Sequence, residues 1–238
     1  MLRINNLKLD NNSIKICVPI AKVKKNDILD LSHKMDNRDI DIVELRLDYY
    51  EDVLDIVKTM DLISKVRENI DKVLLITFRT VAEGGYTDVT LDHYAKIYEE
   101  IIKNKYADMI DLEYRLNKKI TDRINALAKE KDIKVIYSYH DFNQTPKYER
   151  LIHYFNDMST RGADIVKIAA MATNESDVEE LKKAARESSI SRPTVAISMG
   201  EMGVDTRINA KDIGSCFTFA SFDGTSAPGQ VDISKIKR

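Results

Sequence analysis

Cysteine is scarce: the 238 residues contain only Cys17 and Cys216, each inside an apolar, strand-like run. The pair reads as buried reduced thiols rather than a disulfide, so a disulfide-stapled fold is not expected. An excess of one charge is also missing. Against 37 Lys and Arg stand 39 Asp and Glu, a formal net charge of −2, which leaves no electrostatic case for nucleic acid or an anionic membrane as partner. No run approaches the ~18 apolar residues of a membrane span, and the N-terminal MLRINNLKLDNN has no apolar signal core. Linkers, internal repeats and low-complexity segments are absent. The four histidines, His33, His93, His140 and His153, include no helical ligand pair, which argues against a metal enzyme. What remains is 43% hydrophobic and 32% charged, the composition of a globular cytoplasmic enzyme or binding protein that buries one large core.

What the chain does have is alternation. Short apolar runs with β-branched residues lie at 15–20, 41–47, 73–79, 109–114, 134–139, 164–169, 194–199 and 216–221. Stretches of helical periodicity separate them. Leu54, Val57, Met60 to Leu62 and Val66 are expected to share one helix face. Tyr94, Ile97, Tyr98, Ile101 and Ile102 line a second, and Val178, Leu181, Lys182 and Ala185 a third. Eight strands spaced by about 30 residues predict an α/β chain of the (β/α)8 TIM barrel class, one catalytic domain over residues 1–238. A doubly wound open sheet is the competitor, but its glycine-rich turn after the first strand is missing from PIAKVKKND. Residues 1–14 precede the first strand and predict a short hairpin, a lid on the barrel bottom.

One charged residue stands where none is expected. In GADIVKIAAMA, Lys167 sits between Val166 and Ile168 in a run that reads as a buried strand. Lysines are rarely buried, and an isolated ammonium is costly to desolvate. In a barrel the C-terminal strand ends form the active face, and here they collect polar groups. Glu44, Arg46 and Asp48 alternate with Leu45 and Leu47, Arg79 is followed by Glu83, and Asp111 and Glu113 are two apart. Farther along come His140 with Asp141, then Lys167, Arg207 and the segment DGTSAPGQ. Each has a plain structural reading: an ion pair for Glu44 with Arg46, a hydrogen-bonded His140, helix caps or interior partners for Asp48, Asp111 and Asp141. Together they argue for a pocket. A lysine amine among apolar neighbours can attack a ketone and form a Schiff base, an electron sink for a carbanion at the adjacent carbon. A histidine within reach would take that proton. Arg46, Arg79 and Arg207 suit a carboxylate or a hydroxyl-rich anion. The residues thus point to imine-assisted proton abstraction on a polar keto acid.

The ordered set VELRLD, TFRTVAEGG, SYHDF, DIVKIA, SMG followed by Arg207, and SAPGQ covers nearly the whole chain and resembles the type I 3-dehydroquinate dehydratases. The resemblance implies a (β/α)8 homodimer that converts 3-dehydroquinate to 3-dehydroshikimate and water by syn elimination, with no metal or cofactor. It implies that Lys167 is the Schiff-base lysine, His140 the general acid and base, and Glu83 the glutamate that positions the histidine. Glu44, Arg46 and Arg79 would hold substrate hydroxyls and Arg207 the carboxylate. Ser226 and Gln230 would belong to a loop, 223–230, whose glycines at both ends suit a hinged flap. Pro19, where some members carry serine, is given no role. A sugar-phosphate aldolase or transaldolase is the nearest rival. It needs a phosphate cradle of backbone amides after the last strands, and Arg207 with SAPGQ is not one. A non-catalytic metabolite-binding barrel is the rival from another class, and it has no use for a buried lysine near a histidine.

Overall fold

The computed structural model describes residues 2–10, 13–36, 39–222 and 229–236. In chain order the elements begin with strands β1 (Leu2–Ile4), β2 (Leu7–Leu9) and β3 (Lys15–Ile20) and helix α1 (Lys25–Asp36). Next come β4 (Ile42–Arg46), α2 (Ile56–Asn69), β5 (Val73–Thr77), α3 (Leu91–Asn104), β6 (Met109–Glu113) and α4 (Lys118–Glu130). The remainder is β7 (Lys134–Asp141), α5 (Tyr148–Thr160), β8 (Ile165–Met171), α6 (Glu175–Ser189), β9 (Thr194–Met199), α7 (Asp205–Ile208), β10 (Phe217–Ser221) and β11 (Val231–Asp232). Parallel strands alternating with helices are the expected α/β arrangement of the (β/α)8 class. Two compact units make up the chain: Met1–Val18 with Ile136–Arg238, and Pro19–Val135.

In the unit Pro19–Val135, β4, β5 and β6 pair in parallel, with Arg46 opposite Thr77 and Thr77 opposite Asp111. Every residue of the three strands is buried, which is why they read as continuous apolar runs broken only by residues with a partner. The polar row Arg46, Thr77, Asp111 therefore lies on one face at the C-terminal end. On α3, Tyr94, Ile97, Tyr98, Ile101 and Ile102 are all buried as the periodicity predicts, and the Tyr94 ring packs edge-on against Phe78 at 5.9 Å. Each such fully buried side chain contributes on the order of 2 kcal/mol.

The expected face of α2 is corrected. Asp55 caps the helix by accepting from the Val57 and Lys58 amides, so the helix starts at Ile56. Leu54 precedes it and is exposed, and Val57 is 79% exposed. Leu62 and Val66 are buried as expected, and Thr59 and Ile63 complete the buried face. A cap fixes the phase of a helix, and the apolar spacing alone placed it one turn too early.

In the unit Met1–Val18 with Ile136–Arg238, β1 and β2 form the expected antiparallel hairpin, with Leu2 opposite Leu9 and Asn5 left-handed at φ 51° in the turn. Strands β7, β8 and β9 are parallel, and Ser138, Lys167 and Val195 form one row while His140, Ala169 and Ile197 form another. Strand β10 is parallel to β3 and β11. Cys17 and Cys216 are buried and not disulfide-bonded, and burial pushes the Cys216 thiol up to about 12. Among the described residues no helix is long and apolar enough to cross a membrane.

Candidate active site

The C-terminal ends of β4 to β6 gather charges that are all spoken for. Arg46 does not pair with Glu44. Its fork meets Asp48 with both contacts at 2.8 Å, and its guanidinium lies 5.0 Å from the centre of the Tyr49 ring. Tyr49 in turn stacks on Tyr86. Glu44 accepts from the Thr77 hydroxyl at 2.8 Å. Asp48 is an interior partner and not a helix cap: besides Arg46 it accepts the backbone amides of Arg79 at 3.3 Å and Tyr86 at 3.1 Å. Removing one partner of a buried pair of this kind costs about 3–5 kcal/mol.

Arg79 donates to Asp111 at 2.8 Å and Glu113 at 3.3 Å, and its nearest nitrogen is 3.8 Å from Glu83. Glu113 also takes the Thr80 amide at 2.7 Å and hydroxyl at 2.6 Å. Burial pulls the Arg79 guanidinium down, but Asp111, then Glu113 and Glu83, outweigh it and hold it well above its ordinary value. For Arg46, burial is likewise outweighed by Asp48 and Glu44. Glu83 ends a single 3-10 turn, Val81–Glu83, closed by Gly84 at φ 85°. Its burial and the charge of Glu113 push the carboxyl up to about 7, against the opposing pull of Arg79 and Arg115.

That turn needs a glycine at 85. A Cβ there would stand 1.9 Å from the Arg79 carbonyl oxygen, while the Gly85 amide donates to Thr80 at 2.8 Å. Gly85→Ala is expected to destabilise by roughly 2 kcal/mol or more, lowering Tm by roughly 5 °C for a chain of this size. Thermal denaturation reads it directly, and an unchanged Tm would mean that the turn relaxes freely.

In the other unit Lys167 is 4% exposed on β8. Its Nζ lies over the Phe219 ring, 4.4 Å from the centroid, a cation–π distance. Ser138 is its direct neighbour on β7, and His140, two residues further along β7, points to the same face. Lysine amine and imidazole are therefore diagonal neighbours at the C-terminal end, both buried. Asp141 behaves as a local cap, accepting the amides of Asn143 at 3.0 Å and Gln144 at 3.2 Å.

Arg207 is placed by a chain of backbone contacts. Gly203 lets the chain approach Ser198, where a Cβ would be 2.0 Å from the carbonyl oxygen. The Thr206 hydroxyl accepts the Ser198 amide at 3.0 Å, and the Arg207 carbonyl accepts the Thr218 hydroxyl at 3.1 Å. The side chain is buried, and burial pushes its guanidinium down to about 10. A desolvated cation of this kind favours an anionic ligand. Gln230 donates to the Ala220 carbonyl at 3.1 Å. Ser226, with most of the expected flap, lies outside the described residues.

The structure thus groups Glu44, Arg46, Arg79 and Glu83 in one unit and His140, Lys167, Arg207 and Gln230 in the other. Three partners escape a reading of strand ends: Thr77 and Thr80, which carry no charge, and Arg115, which donates Nε to Glu83 at 3.1 Å. Arg115 had a signal. Asp111, Glu113 and Arg115 continue one period-2 series past the end of β6. Among the described residues no group of three or more His, Cys, Asp or Glu could hold a metal ion.

Residues 16–238 match the family model for type I 3-dehydroquinase. The chain is 35% identical to a 3-dehydroquinate dehydratase of Clostridioides difficile (strain 630) over 99% of this chain and 94% of that protein. It is 36% identical, with the same coverage, to the corresponding enzyme of Clostridium botulinum (strain Eklund 17B / Type B). A crystal structure of the type I 3-dehydroquinate dehydratase from Clostridium difficile with covalent modified comenic acid superposes with a TM-score of 0.94 at 35% identity. It covers 98% of this chain and 93% of that one.

Proposed function

Because this chain belongs to the type I 3-dehydroquinase family, we propose that it dehydrates 3-dehydroquinate to 3-dehydroshikimate through an imine on Lys167, as a shikimate-pathway lyase. The observation that carries the imine reading is the pairing on β7 and β8: a buried primary amine over an aromatic face, with an imidazole diagonal to it on the same face. The family member with covalent modified comenic acid supports covalent chemistry of this type.

The amine of Lys167 adds to the substrate ketone, and the carbinolamine loses water to give a protonated imine. His140 takes the proton from the adjacent carbon, and the electron pair moves into the C–N system as an enamine. The enamine expels the β-hydroxyl, which leaves as water with the proton that His140 returns. Hydrolysis of the conjugated imine consumes one water, releases the enone and restores the amine. The balance is one water lost per substrate, with no oxidant, metal or cofactor.

The remaining roles follow from charge and the family resemblance. Arg207 binds the carboxylate. Glu44, Arg46 and Arg79, fixed by Thr77, Asp48 and Asp111, address hydroxyls, and a fixed acceptor and fixed donors need no reordering when the ring arrives. Ser226 and Gln230 complete the substrate set, Glu83 tunes the histidine, and the catalytic domain over 1–238 acts as a cytoplasmic homodimer.

The test is direct. With 3-dehydroquinate, purified protein is expected to generate the ultraviolet absorbance of a conjugated enone, and with borohydride present to gain one ligand mass per chain. No enone would sink the activity; enone without trapping would sink only the imine.

A further inference from the structure

Arg79 is one cation shared by three carboxylates, and a second cation reaches Glu83 from the solvent side. In its own unit the charges that act on it are Glu113 from β6, Arg79 from just past β5 and Arg115 from the loop after β6. Asp111 stands against Arg79, and the phenols of Tyr94 and Tyr98 on α3 lie near Asp111 and Glu113 rather than Glu83. Tyr98 is committed, donating to the Asp111 carbonyl at 2.7 Å. Arg79 gives its hydrogen bonds to Asp111 and Glu113 and only stands near Glu83, at 3.8 Å. Three carboxylates thus share Arg79, and a second positive charge is Arg115, whose Nε reaches Glu83 Oε1 at 3.1 Å. Its side chain is 47% exposed while that of Glu83 is 2% exposed.

We propose that Arg115 is a positioning residue for the dehydration: it holds the buried Glu83 carboxylate in its charged form and fixes the direction of Oε1. The inference rests on the activity proposed above. An arginine at the protein surface loses little by desolvation, yet its fork projects a full charge onto a carboxylate that water does not reach. Glu83 sits at the balance point, about 7, where one neighbouring charge decides its state near neutrality. The sign is fixed by the chemistry of an acid: removing a cation raises the proton affinity, so the charged form is lost at neutral pH and recovered only at higher pH.

The experiment compares pH–rate profiles of the wild type, Arg115→Ala, Arg115→Lys, Glu83→Gln and the double variant Arg115→Ala with Glu83→Gln, each checked for folding by circular dichroism. Arg115→Ala is expected to move the acid limb of kcat up by about one pH unit, the low end for an adjacent arginine because this one is half exposed. That is roughly a five-fold loss at pH 7 with near-complete recovery at pH 9. Arg115→Lys should fall between. In the Glu83→Gln background the alanine substitution should add nothing, since the group it tunes no longer titrates. Infrared titration supplies a readout free of turnover: the protonated-carboxyl band that Glu83→Gln removes should persist to higher pH in Arg115→Ala. An unmoved acid limb and band, or an equal loss at every pH, or a further loss in the Glu83→Gln background, would overturn the role. A wild type that forms no enone would overturn the activity instead, and the infrared titration would still decide whether Arg115 sets the charge of Glu83.

Discussion

Lys167→Ala is expected to fold, to bind ligand weakly, to show no borohydride trapping, and to lose several orders of magnitude in turnover. In the proposed mechanism the loss is large because the lysine is the covalent electron sink: without it, the proton on the adjacent carbon would have to be removed to give a simple enolate, and no other group in that scheme replaces the cationic nitrogen. Folding should survive because the outward-facing neighbours Val166 and Ile168 are buried on the other face of β8 and stay untouched. Removing the stem leaves a void above Phe219 that costs some stability. Mass spectrometry of the trapped wild type should place the label on the peptide containing Lys167. A label on any other lysine would move the nucleophile elsewhere.

His140→Ala is the second large effect. General acid–base catalysis is typically worth ~10²–10⁴-fold, and a histidine that both removes the proton and returns it to the leaving hydroxyl sits at the upper end. The variant should still trap substrate with borohydride, because amine addition to the ketone does not depend on the imidazole in the same way. Single-turnover measurement should therefore show imine formation outpacing enone formation. Near-normal turnover would make His140 a structural residue.

The strands of both units were readable from the sequence because buried parallel strands must be apolar along their whole length, and VLLIT or KVIYSY has few alternatives. The charged exceptions were readable for the same reason: Lys167, Arg46 and Glu44 interrupt apolar runs, where a charge requires a cause. Pairing was not readable. Arg46 could as well have met Glu44, and only the 3-10 turn at Leu47–Tyr49 brings Asp48 back to it. The start of α2 was misread because Leu54 and Val57 have the right spacing and Asp55 overrides it as a cap. Arg115 carries no signal of burial, being half exposed, and its importance lies in what it reaches.

Asp48 has a further consequence for how the segment carrying Glu83 moves. One carboxylate clamps the amides of Arg79 and Tyr86, and Gly85 hydrogen-bonds back to Thr80 within that span. The chain from 79 to 86 is therefore a closed ring whose closure entropy is settled on folding. A ring pinned at its two ends and cross-braced by the Glu83, Gly84 and Gly85 amides cannot swing as a loop does. In the proposed reaction Glu83 would then act through a proton or a shift of charge, with the backbone serving as a fixed mount.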